Sequence, residues 1–523
     1  MNPIRSRLLV LALLAAPVPA HAQQAAAPAA PAARERVDAA MVARIRDEGM
    51  NRSRVLETAV HLSDLNGPRL AGSPGYRRAA EWARDRMTAF GLANAALEPW
   101  GTRRGRGWEV TRHSVELVSP YYERIVAYPK AWSPATGGVV RGQPVLAVLR
   151  NEADLAKHRG QLRGKIVLSG EVTVDSTRFA PTGRRLGDAR LDSLARMTDP
   201  GSPRSYEEDS GGYADRVRQR QRFAARLREE GVAAVLEPGR NPHAVTVSGY
   251  QAYDSDVSGA VPSFVVEAGD YARLANLVRL GAAPTLEVEL RTRETTTDSV
   301  GYNVVAEITG SDPRLGAETV LVGGHLDSWN VGTGATDNAA GVAVAMEAAR
   351  ILQAVGAKPR RTIRVALWDG EEHEDYFGSG GYVRRHYGDP ATGRLRPGAR
   401  APFAYFNIDN GAGRIRGLYA QGNAAVRPVF AAWLEPFRDL GAATVTLKNA
   451  GSTDHMPFVG AGIPAFTFIQ APLDYDTRTH HTRRDVAAML IEDDLKQAAT
   501  VVAGVLYHAA NREGGLPTAG NRE

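Results

Sequence analysis

Two kinds of hydrophobic spacing divide this chain. Over residues 38–92 apolar positions recur three and four apart, which predicts helices. The clearest is 77–90, RRAAEWARDRMTAF, closed by Gly91. The stretch before it, NGPRLAGSPGY, is a turn-rich loop. From about 130 to 290 the texture changes to short β-branched runs with helical pieces between them: GKIVLSG (164–170), AAVLEPG (233–239) and VPSFVVEAGDYARL (261–274). Residues 173–212 are polar and charged with Gly and Pro, which reads as a long surface excursion.

After Asn303 the pattern becomes regular. Apolar runs VVAEITG, TVLVGGH, TIRVALWDG, FAYFNIDN, TVTLKN and PAFTFIQ predict strands. Helical segments are expected at 338–355, near 379–387, at 424–440 and from 485 to about 511. Continuous apolar strands alternating with helices predict an α/β fold. Its sheet should be doubly wound and mostly parallel, with helices on both faces in a three-layer sandwich. At 523 residues more than one domain is expected. The boundaries read as a signal peptide (1–22), a flexible leader (23–36), the N-terminal part of the main domain (37–129), an inserted β-rich region (130–292), the C-terminal part (293–512) and a tail (513–523).

The N-terminus motivates the first two boundaries. Arg5 and Arg7 precede a short apolar run, and Ala20-His21-Ala22 closes it, the pattern of a cleaved export signal. The run is well short of the ~20 residues that a membrane span needs. The expectation is an exported protein, periplasmic or extracellular, with no membrane attachment after cleavage. QQAAAPAAPAAR then reads as a flexible leader. The net charge of +6 falls to +4 without Arg5 and Arg7, and no basic block sits beside aromatics, so no nucleic-acid partner is expected. There is no cysteine, so neither a disulfide nor a thiolate ligand is available. Any metal must be held by imidazoles and carboxylates.

Such groups occur in order at the ends of the predicted strands: His325 and Asp327 in GGHLDSW, Asp337 in ATDNAAG, Glu371 and Glu372 in LWDGEEHE, Asp409 in FNIDNG, and His480 with His481 in HHTRRD. In open α/β sheets, ligands bind outside the carboxyl ends of the strands. This N/O donor set suits Zn²⁺, and a bridging carboxylate would hold a pair about 3.5–4 Å apart. Asp337, between a strand and a helix N-terminus, is the best bridge. Asp327 is placed to fix the His325 tautomer. Of Glu371 and Glu372, one can bind metal while the other takes a proton from water. Either His480 or His481 can be the last ligand. The loop Gly451-Ser452-Thr453-Asp454-His455 is either a pocket wall or a plain turn.

The series His-x-Asp, Thr-Asp-Asn-Ala-Ala-Gly, Glu-Glu, Asn-x-Asp and His-Thr-x-x-Asp resembles the di-zinc aminopeptidase and plasma glutamate carboxypeptidase family (carboxypeptidase Q-like metallopeptidases). NGPRLAGSPGYRRAAEW resembles that family's N-terminal helix and loop. GKIVLSG, GVAAVLEPG and VPSFVVEAGDYARL resemble an inserted protease-associated domain. The resemblance covers nearly the whole chain after the leader, except 173–212. It implies the zinc-exopeptidase-like sandwich and two Zn²⁺ per chain. His325 and Asp409 would hold one ion, Glu372 and His481 the other, and Asp337 both. Glu371 would be the general base and Asp327 the support of His325. A peptide substrate is implied, as is a homodimer in some members. His373, Glu374 and Asp375 are more polar than the family's usual residues there, which bears on pocket character.

The leading expectation is therefore a secreted di-zinc exopeptidase acting on short peptides or dipeptides. Its inserted region would shape access without touching the chemistry. Two rivals use the same fold: a glutaminyl-cyclase-like acyltransferase with one zinc, and a non-catalytic binding module. The second rival requires lost ligands, and none of the positions above is lost.

Overall fold

The structure is a computed structural model that describes residues 35–518 apart from 103–105, 173, 174, 176, 178, 203–205, 248, 250–259, 296–298 and 375; the side chains of 207–214, 373 and 374 are also not described. The signal peptide and nearly all of the leader lie outside the described residues. Among the described residues no helix is long and apolar enough to cross a membrane.

The fold is α/β around one eight-stranded sheet. Its strands in chain order are β1 (Ala93–Thr102), β2 (Val300–Ile308), β3 (Thr319–His325), β4 (Thr362–Trp368), β5 (Ala404–Asn407), β6 (Ile415–Tyr419), β7 (Thr444–Thr446) and β8 (Ala465–Gln470). Across the sheet they run β1-β2-β4-β3-β5-β8-β6-β7. The centre, β4-β3-β5-β8, is parallel. These central strands are almost entirely buried, because helices cover both faces. One face carries Ala340–Ala354, whose small residues let it lie close to the sheet and to the closing helix Glu492–Asn511. The other carries Phe377–His386.

Between β1 and β2 the chain builds two further sheets. One is four-stranded, with Gly107–Ser119 and Thr285–Thr295 paired antiparallel at its centre. The other is five-stranded, with Pro144–Leu146, Ile166–Leu168, Ala234–Pro238 and Ser263–Val266 parallel in that order. These strands extend from 107 to 295, further than the expected 130–292. The reason is that the long strands beside β1 and β2 pair with each other before the smaller sheet begins.

Three local expectations differ from what is found. The segment 424–440 is a 3₁₀ turn, a helix Arg427–Leu434 and a second 3₁₀ turn, because Pro428 and Pro436 each remove an amide donor. The closing helix starts at Glu492, with Asp485 occupied elsewhere. The described part of 173–212 is not a free excursion. Arg185 pairs with buried Asp494 at 2.7 Å, Arg416 donates to the Leu186 carbonyl, and Arg427 donates to the Ala195 carbonyl. A stretch that looked like a solvated surface is instead bound through Arg185 to the closing helix and through two of its carbonyls to β6 and the helix Arg427–Leu434.

Candidate metal centre

The ligand-type residues gather at the carboxyl ends of the central strands. His325 is the last residue of β3 and pairs with Trp368, the last of β4. Glu371 and Glu372 open a short helix, Glu371–Glu374, separated from β4 by two residues. Asp409 follows β5, and His481 lies in the loop after β8. Close strand approach matters here: a Cβ on Gly324, beside His325, would stand 2.6 Å from the Ile408 carbonyl oxygen. Asp337 sits in the turn Ala335–Ala339, just before Ala340–Ala354, and the Asp337-Asn338 peptide is cis. Asp485 fixes this turn by accepting from the amides of Thr336 and Asp337 and from the Thr336 hydroxyl.

One carboxylate faces two imidazoles. Asp337 Oδ1 lies 3.3 Å from His325 Nε2, and its Oδ2 lies 3.2 Å from His481 Nε2. At the first end, Asp409 Oδ1 is also 3.3 Å from His325 Nε2. At the second end, Glu372 Oε2 is 2.8 Å from His481 Nε2. His480 stands further off, with Nε2 3.8 Å from Asp337 Oδ2 and a side chain 46% exposed. Asp327 divides its role. Its backbone carbonyl holds His325 Nδ1 at 3.0 Å, and its carboxylate stands 3.6 Å from the same nitrogen while accepting from the amides of Glu371 and Glu372, both at 3.2 Å.

The charges respond strongly to this crowding. Burial alone would push His325 down, but the carboxylates of Asp409, Asp327 and Asp337 hold it well above its ordinary value. His481 is likewise raised to about 10, with Glu372 and Asp337 overcoming burial. Burial, then neighbouring carboxylates, push Glu372 up to about 8 and Asp485 to about 7; burial also pushes Glu371 and Asp454 well above the usual carboxyl range. Asp337 runs the other way: burial would push it up, but hydrogen bonds and charge from His325 and His481 hold it well below the usual carboxylate range. Asp337 Oδ2 is buried without a well-directed hydrogen bond. The donor atoms of His325, Asp337 and Glu372 fall within 4.8 Å of one another, as do those of Asp337, His480 and His481. Two imidazoles with three carboxylates are the N/O ligand types that zinc takes, so the residues fit it.

A second layer, not anticipated from the sequence, supports this group. Trp368 Nε1 donates to the Tyr405 hydroxyl, Tyr405 to Asn407 Oδ1, Asn407 Nδ2 to Thr453 Oγ1, and Thr453 to Asp409 Oδ2. An indole only donates, so every bond in this buried chain points toward Asp409. Thr453 and Asp454 are both buried, and Ser379 donates to Asp454 Oδ1 at 2.6 Å. Arg69 is fully buried below the site and donates to the carbonyls of Leu62, Leu326, Thr333 and Gly334. Its only sequence signal was a lone arginine in NGPRLAGSPGY. Trp329 lies against the His481 ring, with centroids 5.7 Å apart.

A parallel α/β sheet with imidazoles and carboxylates at its strand ends defines a metal-dependent hydrolase. Residues 303–506 match the profile of Peptidase family M28, so the chain is similar to that family over its C-terminal part. It is 25% identical over 477 residues to carboxypeptidase Q of Mus musculus, covering 90% of this chain and 88% of that one. Aminopeptidase YwaD of Bacillus subtilis is 26% identical over 234 residues, covering 44% of this chain and 48% of that one. Among solved structures, a peptidase M28 precursor from Shewanella amazonensis superposes with a TM-score of 0.65 at 23% identity, covering 92% of this chain and 99% of that one. A zinc aminopeptidase from Bacillus subtilis gives 0.54 at 20% identity, with 88% and 95% covered. The two structures share the fold. The protein is thus a zinc metallopeptidase that hydrolyses peptide bonds.

Proposed function

We propose that this chain is an exported exopeptidase that uses two zinc ions on short peptides. His325 and Asp409 would hold one ion and Glu372 and His481 the other, with Asp337 shared between the two groups. The observation that carries this reading is Asp337, whose two oxygens face two different imidazoles, each with its own further carboxylate. The single-zinc cyclase reading uses only part of that donor set. His481 is preferred over His480 because it lies nearer both Asp337 and Glu372.

Zinc, when bound, supplies Lewis acidity toward the scissile carbonyl and acidifies the attacking water. The chain's own residues do the rest. Glu371 is the general base, taking a proton from that water and returning it to the leaving amine. Asp327 orients two partners at once, His325 through its carbonyl and the Glu371-Glu372 turn through its carboxylate. The Trp368-to-Thr453 chain fixes Asp409 Oδ2, leaving Oδ1 turned toward His325.

The exopeptidase reading leans on relatives named as a carboxypeptidase and as aminopeptidases. An inserted protease-associated domain beside the site would favour short substrates. The N-terminal pattern at 1–22 supports export. The test is a panel of dipeptides, end-blocked peptides and one intact folded protein, with metal counted by mass spectrometry. We expect two zinc ions per chain and cleavage that needs a free end. Internal cleavage of the folded protein at rates rivalling the dipeptides would refute the exopeptidase reading. A single ion in fully active protein would refute the pair.

A further inference from the structure

The loop that carries His481 is held from outside the large sheet. Val247 N–H donates to the His481 carbonyl at 3.0 Å, and Arg483 N–H donates to the Val245 carbonyl at 3.1 Å. These bonds flank a one-residue antiparallel bridge between Thr246 and Thr482. Asn241 Nδ2 adds a bond to the Thr477 carbonyl at 3.0 Å. The side chains of Val245 and Val247 are fully buried. They pack with Val265, from the five-stranded sheet, and with Val331, on the loop after β3. Residues 241–247 therefore bear on both loops that flank Asp337.

His481 is a residue that needs such holding. Its φ is +57°, in the left-handed region. A non-glycine residue held there is strained and persists only where the surroundings over-determine it. The bonds to Val247 and Val245 act at its own carbonyl and at the amide two residues on. Its ring is fixed at the other end by Glu372, Asp337 and Trp329. An ångström of backbone movement would take Nε2 out of reach of both carboxylates.

We propose that residues 241–247 are a positioning clamp for the His481 side of the metal centre, supplied by the region between β1 and β2. The proposal rests on the reading of His481 as a ligand. The clamp touches no reacting atom. It sets where the imidazole stands, so the inserted region contributes to metal retention as well as to access. Coupling of this kind runs both ways: zinc on His481 stiffens the clamp, and loosening the clamp weakens that zinc.

Hydrogen exchange on the full chain reads this coupling without any activity assay. With zinc and then after a chelator, peptides covering 241–247 and 477–483 should lose protection by about 10-fold or more. The strands Ile166–Leu168 and Ala234–Pro238, in the five-stranded sheet, should not change. Unchanged exchange at 241–247 in a chain that has measurably lost zinc overturns the clamp and leaves the metal reading standing. A chain that never takes up zinc overturns both. A pair of variants gives a second reading. Val247→Pro removes the amide donor, whereas Val247→Ala keeps it and trims only packing. The first should weaken one of two zinc equivalents by ~10-fold or more and the second far less. Equal losses assign the effect to packing and overturn the clamp. The exchange experiment needs no variant, so it decides the matter even where Val247→Pro fails to fold.

Discussion

The carboxylate of Asp485 accepts hydrogen bonds from the amides of Thr336 and Asp337, 148 positions earlier in the chain for Asp337. The shape of the turn that presents Asp337 is thus set by a residue from the segment that also carries His481. Asp485→Ala leaves two buried amides unpaired, at a cost of about 1–3 kcal/mol each at most. A lower melting temperature in metal-free protein and weaker zinc binding are expected together. Asp485→Asn keeps the acceptor for Thr336 but turns a donor toward the Asp337 amide, so it should lose less of both than Asp485→Ala without matching the wild type. Wild-type zinc affinity in Asp485→Ala would show that the turn holds itself.

Glu371→Gln should retain zinc and lose most activity, about 10²–10⁴-fold for removal of a general base. Glu372→Gln should instead lose zinc. Metal analysis beside initial rates separates the two, and exchanged phenotypes would reverse the roles.

Thr453 tests the buried chain that ends on Asp409. Thr453→Val keeps the shape and removes the donor, and losses of support to a ligand are typically 10–100-fold in metal affinity. Thr453→Ser restores the hydroxyl and should restore the affinity. Competition against a chelator of known strength measures both. Equal affinities for Val and Ser would mean that the hydrogen bond to Asp409 does not matter.

Zinc binding should release protons. In the metal-free chain His481 is raised to about 10 and Glu372 to about 8, so both hold protons at neutral pH. A metal binds the deprotonated forms, so roughly one proton or more per chain leaves on binding at neutral pH. Raising the pH toward those values removes the competitor, and affinity should climb. Calorimetry in buffers of different ionisation enthalpy counts the protons. No release, or affinity that falls as pH rises from acid to neutral, would contradict this.

The strand-end placement of His325, Glu371, Glu372 and Asp409 was legible because buried parallel strands are unbroken apolar runs. The strand Ala93–Thr102 was not, since it is mostly exposed and contains Pro99 and Gly101, which blur alternation. The support of Asp409 was hidden for a different reason. Tyr405 and Asn407 belong to β5 and Thr453 to a distant loop, and their bonds appear only once β4, β5 and that loop are side by side. Asp327 was expected to support His325; its carbonyl and its carboxylate both face His325 Nδ1, and spacing alone does not tell main-chain from side-chain oxygens. The buried cation Arg69 satisfies carbonyls alone, which leaves no charge pattern to read.

The long strands Gly107–Ser119 and Thr285–Thr295 are paired so that Gly107 faces Thr295. The chain therefore departs from the large sheet and returns to it at neighbouring points, which is the geometry that tolerates exchange of whole modules. A short hairpin could replace everything between without shifting the strands of the large sheet. Such a shortened protein would keep its architecture and lose the grip of Val247 on His481. The residues that would hold metal and part of what positions one of them therefore come from different stretches of this sequence.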